Sequence, residues 1–170
     1  GVGLDRNGFY HMEGGVGPRA SSVPYDRGHT AIMNIEPGVI DWKSVFEGSK
    51  WFHVSGITPA LSDGAAATTL EALKAANDAG VTTSFDLNFR SKLWSSEKAQ
   101  ATTKQFMPFV KVLIGNEEDF EKVLGLKAEG TSDDFDALDP ESYKSVATRA
   151  VEAYPNVTHV GTTLRVAKTG

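Results

Sequence analysis

The rhythm of apolar and polar positions changes near Pro37. Before it, short apolar stretches alternate with glycine-rich breaks. Gly8-Phe9-Tyr10-His11-Met12 predicts a strand, Gly14-Gly15-Val16-Gly17-Pro18 a turn, and Ser22-Val23-Pro24-Tyr25 a second extended run. Proline cannot donate to a sheet ladder, so Pro24 places this run at an edge or a strand start. The pattern predicts a hairpin or small sheet over 1–36, standing apart from the main core.

After Pro37, strand-like runs alternate with helical spacing. Trp51 to Ser55 predicts a strand, followed by the loop Gly56-Ile57-Thr58-Pro59. Ser62 or Asp63 offers a side-chain oxygen to the free N–H groups of the next helix. In that helix Ala66, Leu70, Leu73 and Ala76 recur at helical spacing, and Gly80 stands where it should stop. Val81 to Leu87 is the next strand, followed by a polar loop through Trp94. A helix over 96–109 turns Ala99, Thr103, Phe106 and Met107 inward. Val110 to Ile114 is again a strand, and Asn116 opens a short helix ending near Gly125. The acidic stretch 127–140 predicts a surface loop. Tyr143, Val146, Ala147, Ala150, Val151 and Tyr154 then mark one face of a further helix. Val157 to Thr162 closes the series as a strand. Strands separated by helices of this length imply right-handed crossovers and a parallel sheet, hence an α/β core over 37–170.

Composition narrows the function classes. In 170 residues the formal net charge is -5 and the basic residues are scattered, which argues against a nucleic-acid partner. There is no cysteine, so disulfides and thiolate metal sites are excluded. No apolar run has the length of a membrane span, and no signal-peptide pattern opens the chain, so the expectation is a cytoplasmic protein with no membrane partner.

In open α/β sheets ligands bind beyond the carboxyl ends of the strands. That rule singles out Gly56-Ile57-Thr58, Asn88-Phe89-Arg90, Gly115-Asn116-Glu117 and Thr163-Leu164-Arg165. Arg90 presents a planar fork suited to a carboxylate or phosphate, or to a salt bridge inside the domain. Asn116-Glu117-Glu118-Asp119 is either an acidic first turn that favours the helix dipole or a cluster that orders a magnesium-bound phosphate through waters. Tyr25 and Arg27 lie in the β-rich segment, where an arginine is either solvated or ligand-directed. No Walker sequence occurs, which disfavours a P-loop enzyme. The four histidines, His11, His29, His53 and His159, lack metal-ligand spacing and read as structural. The run Asp133, Asp134, Asp136 and Asp139 lacks the glycine and terminal glutamate of a calcium loop.

Several segments together resemble the 2-keto-3-deoxygluconate kinase branch of the ribokinase-like family. They are Gly8-Phe9-Tyr10, Tyr25-Asp26-Arg27, the run from Ser55 to Ser62, the run from Asp86 to Trp94, and Gly115 to Asp119, with a weaker match at Thr163-Leu164-Arg165. They occur in the family's order and cover nearly the whole chain. The resemblance implies a three-layer α/β/α domain with a mostly parallel sheet and a small β lid. It also implies ATP-dependent phosphorylation of a 2-keto-3-deoxy sugar acid at its terminal hydroxyl. Tyr10 and Tyr25 would touch hydroxyl or keto oxygens of the substrate, and Arg27 and Arg90 would hold its carboxylate. Asn116 matches the start of an Asn-x-x-Glu motif near ATP and Mg²⁺, with Asp119 in place of the glutamate. Thr163 and Arg165 would also serve the nucleotide. The lid implies a homo-oligomer contact.

The sequence departs from that family at both ends. It has no Gly-Ala-Gly-Asp type segment, whose aspartate is the family's catalytic base, and no amino-terminal sugar-binding segment. The expectation is a central fragment that is inactive alone. Two other readings stay open: a non-catalytic sugar-acid-binding module, and a related kinase for a neutral sugar such as fructose.

Overall fold

The computed structural model describes residues 5–127 and 140–163, with side chains of the second segment described from 144 onward. The amino-terminal segment forms an antiparallel hairpin. Strands β1 (Phe9–Tyr10) and β2 (Tyr25–Asp26) pair Phe9 with Asp26 and Tyr10 with Tyr25. The arm continues through bridges between Glu13 and Ser22 and between Val16 and Arg19. The turn therefore narrows to Gly17-Pro18, shorter than the five-residue turn expected from sequence. Gly17 has φ 61°, a left-handed value that glycine adopts without penalty and that suits a two-residue hairpin. At the base of the arm Arg6 pairs with Asp26 and donates to the Gly28 carbonyl at 2.6 Å.

The remainder is a parallel sheet with helical crossovers. In order come α1 (Trp42–Phe46), β3 (Trp51–Ser55), α2 (Ile57–Ala60), α3 (Asp63–Asp78), β4 (Thr82–Asp86), α4 (Ser96–Phe106), β5 (Val112–Gly115), α5 (Glu117–Leu124), α6 (Pro140–Ala153) and β6 (His159–Thr162). The sheet order is β3-β4-β5-β6. Because this order never reverses, right-handed crossovers all fall on one face. Burial agrees: Val54, Phe85, Leu87 and Leu113 point to one side and pack with Leu73 of α3, Phe106 of α4, Phe120 of α5 and Val146 of α6. The opposite face carries His53, Ser84, Asp86, Val112 and Ile114. The described residues thus supply the sheet and one helix layer.

Local chemistry explains the element ends. Ser62 caps α3 by accepting from the Ala65 N–H at 3.0 Å, and Gly80 at φ 69° follows its end. Pro108 has no N–H to extend α4, so the expected helix over 96–109 gives way to a 3-10 turn at Met107–Phe109. Asn156 then donates to both the Met107 and Val110 carbonyls, at 2.6 and 2.7 Å, and ties the approach to β6 onto that turn.

Three expectations need correction. The segment after β3 is not a plain loop but the short helix α2. Helix α3 buries Ala65, Thr68, Thr69, Ala72, Leu73 and Ala76, while Ala66 and Leu70 are only partly covered. Thr69 enters this face by returning its hydroxyl to the Ala65 carbonyl at 2.8 Å, whereas the buried Thr68 hydroxyl has no partner among the described residues. Val151 is 41% exposed, so the inner face of α6 is Val146 and Ala150. Helix α1 was not expected: its five residues hold too short a pattern, and Trp42 and Phe46 stack at 5.6 Å against Phe52. The Tyr143 side chain and the acidic run Asp133 to Asp139 lie outside the described residues. Among the described residues no helix is long and apolar enough to cross a membrane.

Candidate functional site

Three strand ends meet at the carboxyl edge of the sheet, and their loops are bonded to one another. Gly56 donates to the Asp86 carbonyl at 2.7 Å and Leu87 donates to the Ile114 carbonyl at 2.8 Å, which extends the ladder past β3 and β4. The chain then turns at Asn88, a non-glycine residue at φ 37°. Asparagine tolerates this region when its short side chain bonds locally. Here Asn88 Nδ2 donates to Ser55 Oγ at 2.9 Å, so the turn after β4 is pinned to the end of β3.

The turn sends the next amide toward α5. The Phe89 N–H donates to Asp119 Oδ1 at 2.8 Å, and the Asn116 N–H donates to Asp119 Oδ2 at 3.0 Å. In return Asn116 Oδ1 accepts from the Asp119 N–H at 2.9 Å. This reciprocal pair is a capping box that satisfies donors otherwise orphaned at a helix start. Asp119 is buried. Each of its oxygens accepts one backbone N–H. Among the described residues Asn116 Nδ2 has no hydrogen-bond partner.

Arg90 stands at the far end of this loop. It is exposed, and its guanidinium donates to the Phe89 carbonyl at 2.9 Å. Among the described residues it forms no salt bridge, although its charge acts on the nearby Asp86 carboxyl. Thr163 continues the β5–β6 pairing by donating to the Gly115 carbonyl at 3.3 Å. Arg165 lies outside the described residues.

The other predicted residues gather on the hairpin. Tyr10 and Tyr25 share one face, ring centroids 5.8 Å apart, and the Arg27 guanidinium lies over the Tyr25 ring at 4.2 Å. Stacking of this kind holds a guanidinium plane while leaving its N–H edge available. Among the described residues no hydrogen bond joins this hairpin cluster to the strand-end cluster.

Asp86 is a site neighbour that sequence inspection did not single out. Burial raises its carboxyl above the ordinary carboxylate value, and the Asp119 charge adds to this; His53, the Asn88 amide and Arg90 pull it back. A carboxyl with a raised folded-state pKa contributes most below its unfolded value, near about 4, and that contribution is lost as pH rises through the folded value. Asp86→Asn keeps the acceptor for the Asn88 amide and removes the titration. Urea denaturation from acidic to neutral pH is expected to show a smaller loss of stability on raising pH in this variant than in the parent. An unchanged slope would mean that Asp86 does not carry this dependence.

Comparison with known proteins now applies. The model for pfkB family carbohydrate kinases matches residues 6–155. The chain belongs to this family. It is 45% identical to a 2-dehydro-3-deoxygluconokinase of Thermotoga maritima, whose structure aligns with a TM-score of 0.83 over 93% of this chain and 46% of that one. It is 43% identical over 121 residues to a 2-dehydro-3-deoxygalactonokinase of Haloferax volcanii, covering 71% of this chain and 38% of that protein. A PfkB family carbohydrate kinase of Listeria grayi aligns at 29% identity and a TM-score of 0.74, over 90% of this chain and 44% of that one. The chain therefore spans less than half the length of these relatives. Its architecture is the ribokinase-like α/β fold, with a four-stranded parallel sheet and a separate antiparallel pair.

Membership in the pfkB family gives the capping box a context without assigning its residues. The Asn116-x-x-Asp119 spacing was legible as a helix start. The Phe89 amide that shares Asp119 was not, because it lies 30 positions away and carries no side-chain signal.

Proposed function

We propose that these residues form the sugar-acid-binding part of an ATP-dependent kinase that phosphorylates a 2-keto-3-deoxy sugar acid at its terminal hydroxyl. The observation that carries this reading is the pair of arginines left without carboxylate partners among the described residues: Arg27 on the hairpin and Arg90 at the end of β4. A neutral sugar has no group that needs two such forks, whereas a carboxylate does. In this reading segment 1–36 is a lid over a core at 37–170. Tyr10 and Tyr25 meet hydroxyl or keto oxygens, and Arg27 and Arg90 hold the carboxylate.

Asn116, positioned by Asp119, serves the nucleotide side, together with Thr163 and Arg165. Bound ATP supplies the transferable phosphoryl group. Magnesium would sit on its phosphates and neutralise charge there, since it keeps several waters and takes only one or two carboxylates from a protein. Phosphoryl transfer depends mainly on positioning and charge stabilisation, and a hairpin that covers the sugar would also exclude water. We attribute binding and positioning to these 170 residues, and not proton abstraction, because the segment with the expected base does not occur in them.

The test is equilibrium binding of 2-keto-3-deoxygluconate to the full-length protein, with fructose as the neutral control. Arg27→Ala and Arg90→Ala are each expected to weaken the acid by about 1.5–3 kcal/mol, the worth of a charge-assisted bidentate contact, and to leave fructose unaffected. Equal acid binding by both variants and the parent would overturn the proposal. Tight fructose binding would point instead to a neutral-sugar kinase.

A further inference from the structure

Arg90 and Asn116 sit on different loops after different strands, yet one carboxylate fixes both. The Asp119 oxygens accept the amide that precedes Arg90 and the amide of Asn116 itself, at 2.8 and 3.0 Å. Packing leaves this carboxylate little freedom. A Cβ added to Gly115 would meet Asp119 Cβ at 3.2 Å and Leu87 Cδ1 at 3.0 Å, so the turn after β5 lies tight against both α5 and the end of β4. On its other side the β4 loop is tied to β3 through Asn88 and Ser55. Ser55, Asn88, Phe89, Asp119 and Asn116 thus form one connected line across three strand ends.

We infer that Asp119 is a positioning residue that holds the sugar-acid clamp and the nucleotide contact in a fixed mutual arrangement, rather than a residue that touches phosphate or metal. This rests on the reading of Arg90 and Asn116 given under Proposed function. The chemistry of the carboxylate supports it. A backbone N–H can be accepted only by a lone pair, and a carboxylate offers lone pairs on both oxygens, so it can hold one amide on each side. An asparagine in the same place keeps one acceptor and turns an NH₂ donor toward the other amide. One of the two loops is then released, and its amide is left without a partner. A direct phosphate or metal contact would affect only the nucleotide. A shared support affects both ligands.

The experiment compares the parent, Asp119→Asn and Asp119→Glu in the full-length protein, with two measurements. Amide hydrogen exchange at Phe89 and Asn116 reads the support without any ligand, and the core amides of Leu113 and Phe120 report whether the fold is intact. Calorimetric binding of 2-keto-3-deoxygluconate and of ADP reads the consequence. Asp119→Asn is expected to speed exchange at Phe89, Asn116 or both while the core amides stay protected, and to weaken both ligands about tenfold, the effect of losing one charge-assisted hydrogen bond. Asp119→Glu, which keeps two acceptors, is expected to recover affinity for both ligands together.

Weakening of ADP alone would overturn the inference in favour of a direct phosphate or metal contact. Unchanged exchange at both amides would overturn it, as would loss of core protection in step with the ligands. A parent protein that binds neither ligand would sink the site reading and this inference with it. A parent that binds both, with Asp119→Asn binding equally well, would sink the inference alone.

Discussion

Gly56→Ala is expected to destabilise the protein by about 3 kcal/mol or more, at the upper end of what overpacking usually costs. Gly56 follows β3, where its N–H bonds to the Asp86 carbonyl at 2.7 Å. A Cβ there would stand 3.0 Å from the Leu87 carbonyl carbon, 3.3 Å from the Asp86 oxygen, and nearer still to the Leu87 oxygen. These are backbone atoms, so no side-chain rotation relieves the contact. Either β3 moves away from β4 and the bond to Asp86 breaks, or the Leu87–Asn88 peptide turns and shifts the backbone of Asn88. Both movements also disturb the Ser55–Asn88 link. Urea denaturation of the parent and variant measures the loss. A midpoint within experimental error of the parent would show that the strand ends have room that this geometry denies them.

Phe85→Ala is expected to cost about 3–5 kcal/mol, the range for an aromatic ring removed from a core. Phe85 is fully buried at the middle of β4, between α3 and α4, and its ring lies 5.7 Å from that of Phe106 at an interplanar angle of 59°. A tilted pair of this kind adds to the area term. Neighbours on the sheet are fixed by parallel pairing, with Val54 on one side and Leu113 on the other, so the backbone is unable to collapse into the space. Thermal or urea melts should show the loss directly, and Phe85→Leu should recover most of it. If alanine costs less than about 1 kcal/mol, this layer is far less closely packed than a normal interior.

Much of this architecture was legible because the signals are local. Strand β3 was read over its full length at 51–55, and Ser62, Gly80 and Gly125 mark helix ends by rules that involve only a few consecutive residues. The inner face of α4 was read correctly as Ala99, Thr103, Phe106 and Met107, since a single amphipathic stripe dominates there. Helix α3 is alanine-rich on more than one side, so its stripe was ambiguous. The packing kept Leu73 and Ala76 inside as expected, but put Ala65, Thr68, Thr69 and Ala72 there in place of Ala66 and Leu70. The hairpin turn was placed in the right stretch, but cross-strand pairing down to Val16 and Arg19 set its length.

By itself the sequence determined that this is an alternating β/α chain with a separate amino-terminal hairpin, and which loops hold its polar chemistry. Those properties follow from periodicity, capping residues and turn residues, each a matter of near neighbours. Only the tertiary structure decided that, among the described residues, the crossover helices lie on one face of the sheet, because that depends on strand order. It alone decided that Arg27 lies over Tyr25 and that Arg90 has no ion-pair partner among the described residues, because stacking and pairing depend on distances across the fold. It also decided the partners of Asp119: a carboxylate buried at a helix start must be satisfied by whichever donors the fold presents, and here one of them, the Phe89 amide, comes from a distant loop.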